Sequence, residues 1–315
     1  MTDNNGSWER ELVTKLATDA LAEQKRRRRW GIFFKLLTFA YITFVLVAFV
    51  DWEGRADLAS GKKHTAMVEL NGIIAPGNDA SAEKINTALQ AAFKDKNTQG
   101  VVVRINSPGG SPVQAQTIYD EMRRLRTKYP DIPLYVVVED ICASGGYFVA
   151  AGADRIYVSP SSIVGSIGVL MNGFGFTGLM DKLGVDRRLI TAGEHKGMLD
   201  PFSPVDAKEV EYAKTLIKDV HQQFINVVKE GRGKRLKETP DMFSGLIWTG
   251  AKSVELGLAD GYGTLDSVAR DVIKAEDIVD YTQKEGFAEK VARRFGASMA
   301  SAVVESALRS LPVMR

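Results

Sequence analysis

The hydrophobic pattern divides the chain into regions of different period. From Trp30 to Val50 there are 21 residues that are apolar apart from Lys35, Thr38 and Thr43. At about 1.5 Å per residue such a helix spans roughly 30 Å, the thickness of a hydrocarbon core. The pattern predicts a single membrane-spanning helix rather than a buried core helix. Trp30 and Trp52 would anchor its ends, and Lys35 would snorkel to the interface. Beyond a polar stretch the pattern changes to short apolar runs alternating with helical periods. His64 to Ile74 reads as a strand, and Ala80 to Lys94 as a helix with Ile85, Leu89 and Phe93 on one face. Val101 to Ile105 is the next strand. The helix that follows begins near Val113, carries Ile118, Met122 and Leu125, and ends before Pro130. Leu134 to Val138, Ile156 to Val158 and Val164 to Leu170 read as further strands, and Tyr147 to Ala153 as a short helix.

Asp206 to Lys229 is the longest helix outside the apolar run, with Asp206 as its N-cap and Gly231 as its stop. Phe287 to Leu311 is a last amphipathic segment. The alternation of strands and helices predicts an α/β domain with mainly parallel strands. The expected organisation is a basic N-terminus at 1–29, an anchor at 30–51, a linker at 52–63, a catalytic domain at 64–275 and a helical extension at 276–315.

Charge adds a direction. Lys25 to Arg29 is wholly basic and sits immediately before the apolar run, which places residues 1–29 in the cytoplasm by the positive-inside rule. Trp8, Leu12, Leu16 and Leu21 trace a stripe that fits either an inner-leaflet helix or a solvated one. The net charge of +2 over 315 residues gives no nucleic-acid signal. Cys142 is the one cysteine, so no intrachain disulfide exists, and His64, His195 and His221 lack metal-ligand spacing. No metal or cofactor is expected.

The densest chemical signal is Ile141-Cys142-Ala143-Ser144-Gly145-Gly146-Tyr147, between a predicted strand and a predicted helix. Such a turn exposes a serine, and the N–H groups at a helix N-terminus favour negative charge. A serine hydroxyl needs a base. His195 or His221 could serve in a triad; Lys196 could serve alone if burial lowered its proton affinity. Residue chemistry leaves histidine and lysine open. Cys142 reads as a buried filler, Ser107 and Ser111 as turn and cap residues, and Glu139 and Asp140 as capping groups before the Ser144 helix.

Four motifs in order, Asn106-Ser107-Pro108-Gly109-Gly110, Ala143 to Tyr147, Gly165 to Val169 and Gly193-Glu194-His195-Lys196, resemble the short form of the signal peptide peptidase A family, peptidase family S49. The likeness covers about residues 64–270. It implies the fold shared by caseinolytic protease (ClpP) and crotonase, a superhelical stack of ββα units. It implies Ser144 as nucleophile, Lys196 as general base and Ser166 as the group orienting the lysine. Gly109, Gly110 and Gly145 would supply oxyanion N–H groups. The implied protein is a bacterial inner-membrane serine endopeptidase with its catalytic domain outside the cytoplasm. Its partners would be the lipid bilayer, further copies of the chain in a ring with shared sites, and apolar peptides such as signal-peptide remnants. Alternative readings are a same-fold membrane protease for membrane or misfolded proteins, a non-catalytic scaffold, and, more weakly, an acyl-CoA enzyme.

Overall fold

The computed structural model describes residues 5–48 and 61–283 of the chain. These residues belong to two units, a helix and an α/β unit. The first is α1, a continuous helix from Asn5 to Ala48. It runs without a break through the Lys25–Arg29 cluster, and Trp30 stacks on Phe34 one turn on, with ring centroids 5.7 Å apart. Among the described residues no helix is long and apolar enough to cross a membrane. The apolar part of α1 starts only after Arg29, carries Lys35 inside it and ends, within the described helix, at Ala48. The expected transmembrane anchor is therefore corrected. The bilayer partner, the single-pass topology and the inner-membrane placement rested on that anchor and are withdrawn with it. Of the expected 52–63 linker only residues 61–63 are described, and the segment Phe287 to Leu311 lies outside the described residues.

The α/β unit opens with β1 (His64–Asn71), α2 (Ala82–Lys94), β2 (Thr98–Ser107), α3 (Pro112–Lys128) and β3 (Leu134–Ala143). In β1 only Glu69 and Asn71 are not buried, and Val101 to Val103 of β2 are fully enclosed. Strands covered on both faces need apolar residues at every position, which is why these runs are continuous rather than alternating. α2 and α3 bury Ile85, Leu89, Phe93, Ile118, Met122 and Leu125, the stripes read from the helical period, in one core with the strands. Each such side chain contributes about 1.5–3 kcal/mol. Ser111 caps α3 by accepting from the Gln114 N–H, and Pro112 occupies its first turn, where no partner for a backbone N–H is required.

After β3 come α4 (Gly145–Ala150), β4 (Arg155–Val158), β5 (Ile163–Gly165), α5 (Thr177–Leu183) and α6 (Ala207–Arg232). The chain then forms β6 (Ile247–Thr249), α7 (Gly250–Glu255), β7 (Gly261–Tyr262) and β8 (Ile278–Asp280). The main strand order is β6-β5-β3-β2-β1-β8, with β4 between β3 and β7. All pairs are parallel except β5 with β6. β8 joins the sheet beside β1, so the α/β unit continues past the expected boundary at residue 275.

β3 is forked. Tyr135 to Val137 pair with β4, whereas Ile141 to Ala143 pair with β5. Between the pairs Ile105–Val138 and Ser107–Cys142, β3 takes four residue steps against two on β2. That irregularity bends the strand and delivers its end, and Ser144 beyond it, toward β5.

Candidate active site

Three chain reversals meet at the ends of β2, β3 and β5. The first is Ser107 to Gly110. Buried Ser107 donates its hydroxyl to the Gly72 carbonyl at 2.6 Å and accepts the Gly109 N–H at 3.1 Å. The Gly109 carbonyl accepts from Ile74 N–H at 2.9 Å, and Ser111 N–H donates to the Ile74 carbonyl at 2.8 Å. Gly109 has φ 100°, and a Cβ there would lie 2.6 Å from the nitrogen of Gly145. Glycine is what lets this turn press against the next one.

The second reversal is Ser144, between β3 and α4. Its backbone has φ 53° and ψ −123°, a conformation that L-residues rarely adopt. The Ser144 N–H donates to the Gly165 carbonyl at 2.8 Å, which ties the turn to β5. Gly110 N and Gly145 N stand side by side here: a Cβ on Gly145 would lie 3.2 Å from Gly110 N. Neither N–H has a hydrogen-bond acceptor among the described residues. The Gly109 N–H is occupied by Ser107, so Gly110 and Gly145 are the donors of these two turns that line the cleft without an acceptor among the described residues.

The third reversal is Ser166, with φ 51°. Its N–H donates to the Leu246 carbonyl at 2.7 Å, and its carbonyl accepts from Gly168 N–H at 2.9 Å. This tight turn ends β5 at Gly165, where the sequence pattern had extended a strand to Leu170. Ser144, Ser166, Gly110 and Gly145 line one cleft of about 520 Å³. Its apolar walls include Ala115, Phe148, Leu170, Val220 and Phe224. Phe148 of α4 and Phe224 of α6 pack with ring centroids 5.1 Å apart.

The structure does not bring every candidate into this cleft. Lys196 is exposed on the segment between α5 and α6 and does not line it. His195 beside it is exposed too. His221 is half-buried and its Nε2 lies 3.1 Å from the Ile167 carbonyl. A carbonyl supplies no proton, so Nε2 is the donor and has no lone pair free to act as a base. Cys142 is enclosed, and burial pushes its thiol up, away from the reactive thiolate. Glu139 and Asp140 do not cap α4. Glu139 pairs with Arg104 at 3.4 Å, and Asp140 accepts from Asn106 Nδ2 at 3.3 Å. Among the described residues no group of three or more His, Cys, Asp and Glu could hold a metal ion.

Sequence patterns missed the wall formed by Ser244 and Gly245 and the Leu246 carbonyl that fixes Ser166. A backbone acceptor leaves no trace in residue type, so nothing in the sequence pointed to it.

Comparison with known proteins gives the following. Residues 126–279 match Peptidase family S49, and residues 64–164 match the Clp protease family. A protein of Enterococcus faecium provisionally named signal peptide peptidase SppA is 32% identical over 232 residues, covering 71% of this chain and 67% of that protein. A protein of Methanocaldococcus jannaschii provisionally named a protease is 31% identical over 268 residues, covering 81% of this chain and 85% of that protein. A Brucella abortus protein named Na(+)/H(+) antiporter NhaA is 45% identical over 209 residues, 65% of this chain. The chain spans only 28% of that relative's length, and the name describes the longer protein.

Proposed function

The chain belongs to peptidase family S49, and on that premise we propose that it is a serine endopeptidase acting on apolar peptides. Ser144 Oγ attacks the scissile carbonyl while Lys196 takes its proton. The oxyanion of the tetrahedral intermediate accepts from the N–H groups of Gly110 and Gly145. The protonated lysine then gives its proton to the leaving amine, and the acyl-serine is hydrolysed by water with the same lysine as base. Ser166 holds the lysine amine by its hydroxyl.

One observation carries this reading: two N–H groups with no acceptor among the described residues lie side by side next to a strained serine in an apolar cleft. Donors preorganised in this way are worth about 3 kcal/mol each in the transition state. The walls formed by Phe148, Val220 and Phe224 favour apolar side chains on the substrate. The E. faecium relative's name, signal peptide peptidase, refers to one kind of apolar peptide.

Lys196 is exposed and does not line the cleft of the single chain. A lysine becomes a base when it is desolvated beside its partner. The reading therefore places the working site between two copies, Ser144 from one and Lys196 from the other. The test mixes inactive Ser144→Ala and Lys196→Ala proteins. Activity should return in the mixture to a fraction of wild type. No recovery, with both variants folded and assembled, would refute the shared site.

A further inference from the structure

α6 forms one wall of the cleft and residues 166–170 form another, and a side-chain hydrogen bond joins them. Val220 and Phe224 of α6 line the cleft, and so do Ser166, Gly168 and Leu170. Between Val220 and Phe224 in the sequence lies His221, which donates from Nε2 to the Ile167 carbonyl at 3.1 Å. Ile167 is the central residue of the tight turn closed by Gly168 N–H on the Ser166 carbonyl. Its side chain is fully buried in the same core cluster as Phe224 and Val228 of α6, and the His221 bond adds a directional tie to its peptide. On its other side the turn is held by the Leu246 carbonyl, which accepts from Ser166 N–H. Ser166 sits at φ 51° and therefore needs such ties from both directions to hold its conformation.

We infer that His221 is a positioning residue that sets the width of the substrate cleft and the placement of Ser166, by pinning the Ile167 peptide to α6. Its Nε2 acts as a hydrogen-bond donor. Without the donor, the 166–170 wall keeps its apolar packing on α6 but loses the bond that fixes its register against Val220 and Phe224. The cleft then loses its fit to small side chains and accepts larger ones. The catalytic consequence rests on the peptidase reading above; the pinning itself does not.

Four full-length proteins test this: wild type, His221→Ala, His221→Leu and His221→Gln. Glutamine keeps a donor at a comparable reach, whereas leucine keeps bulk and loses the donor. Two readouts are taken. The first is backbone hydrogen–deuterium exchange over residues 166–170. The second is kcat and KM for paired peptides carrying a small or a large apolar side chain at the cleaved bond. Alanine and leucine should speed exchange in this segment. They should also lower kcat/KM for the small-side-chain peptide by about tenfold, mainly through KM, the loss expected for one such bond. The large-side-chain peptide should lose less, and glutamine should restore both readouts. Should the alanine protein lose its cooperative unfolding transition, the leucine and glutamine pair carries the comparison. Unchanged exchange in the leucine protein, or a glutamine protein as impaired as leucine, would overturn the inference. Absence of peptide cleavage by wild type would overturn the peptidase reading instead, and the exchange data would still decide the role of His221.

Discussion

Ser144 is held where a non-glycine residue seldom goes, at φ 53° and ψ −123°. Such a conformation costs about 1–3 kcal/mol and persists only where its surroundings over-determine it. The surroundings here are the Gly165 carbonyl on its N–H and the Phe148 N–H on its carbonyl. Gly109 presses against the same turn from the β2 side, with the position of its absent Cβ 2.8 Å from Ser144 Cβ. Gly109→Ala should therefore push the two turns apart and move Gly110 away from the oxyanion position. The expected loss is about 100-fold in kcat/KM, with a stability loss of about 1–3 kcal/mol from the positive φ. Steady-state peptide hydrolysis and urea unfolding measure the two effects, and near-wild-type values in both would contradict this geometry. The family resemblance pointed to the Ser-Pro-Gly-Gly turn, and the structure sets that turn against Ser144 and Gly145. Which of its N–H groups is left without a partner was not legible, because that depends on Ser107 Oγ having taken the Gly109 N–H. Glu139 and Asp140 were misread for a related reason: the extra residues in β3 turn them toward Arg104 and Asn106.

Helices and strands with strong periodicity were legible where packing follows the period, as in α2, α3 and the Asp206 cap of α6. Gly231 shows where that reasoning fails. It reads as a helix stop, yet α6 continues to Arg232 and the chain turns at Gly233, φ 52°. Gly231 is small because α4 packs close to α6 there: a Cβ would lie 2.1 Å from the Ala151 carbonyl oxygen. Short edge strands such as β8 carry too few residues for any period to show. Arg232, fully buried, joins α6 to the end of β7's approach by donating to Asp260 at 2.8 Å, and Asp260 also accepts from Ile156 N–H of β4 at 2.7 Å. Burial pushes the Asp260 carboxyl up, but the bonds and charge of Arg232, with Ile156 N–H and Arg235, more than reverse this and hold it below the usual carboxylate range. A depressed folded pKa gives stability that is fully present above the unfolded value, about 3.9, and is lost as pH falls through the folded one. Asp260→Asn leaves Arg232 without its buried counter-charge and should cost about 3 kcal/mol at neutral pH. Measured by urea unfolding across pH, the gap to wild type should close as acid protonates Asp260. A gap that stays constant into strong acid would show that charge pairing is not its source.

At the scale of the whole molecule, the α/β unit alone brings Ser144, Ser166, Gly110 and Gly145 together. The glycine pair and Ser144 were read at strand ends, whereas Ser166 was read inside the strand Val164–Leu170 and named through the family resemblance; parallel strands gather their ends on one side of a sheet. Lys196 was named by motif as well, but it is exposed and is not among the residues lining the cleft. Spacing along a chain says nothing about which copy a side chain serves. The apolar run after Arg29 was legible as helix, and α1 is helical from Asn5 to Ala48, but among the described residues no helix is long and apolar enough to cross a membrane. The central claim is that Ser144 is a nucleophile activated by Lys196, and covalent labelling tests it most directly. The full-length protein is treated with a fluorophosphonate, and the modified residue and its rate of modification are read by mass spectrometry. The account predicts one adduct on Ser144, absent from Ser144→Ala and formed far more slowly in Lys196→Ala. An adduct elsewhere, or a Ser144 adduct formed at the same rate without Lys196, would contradict it.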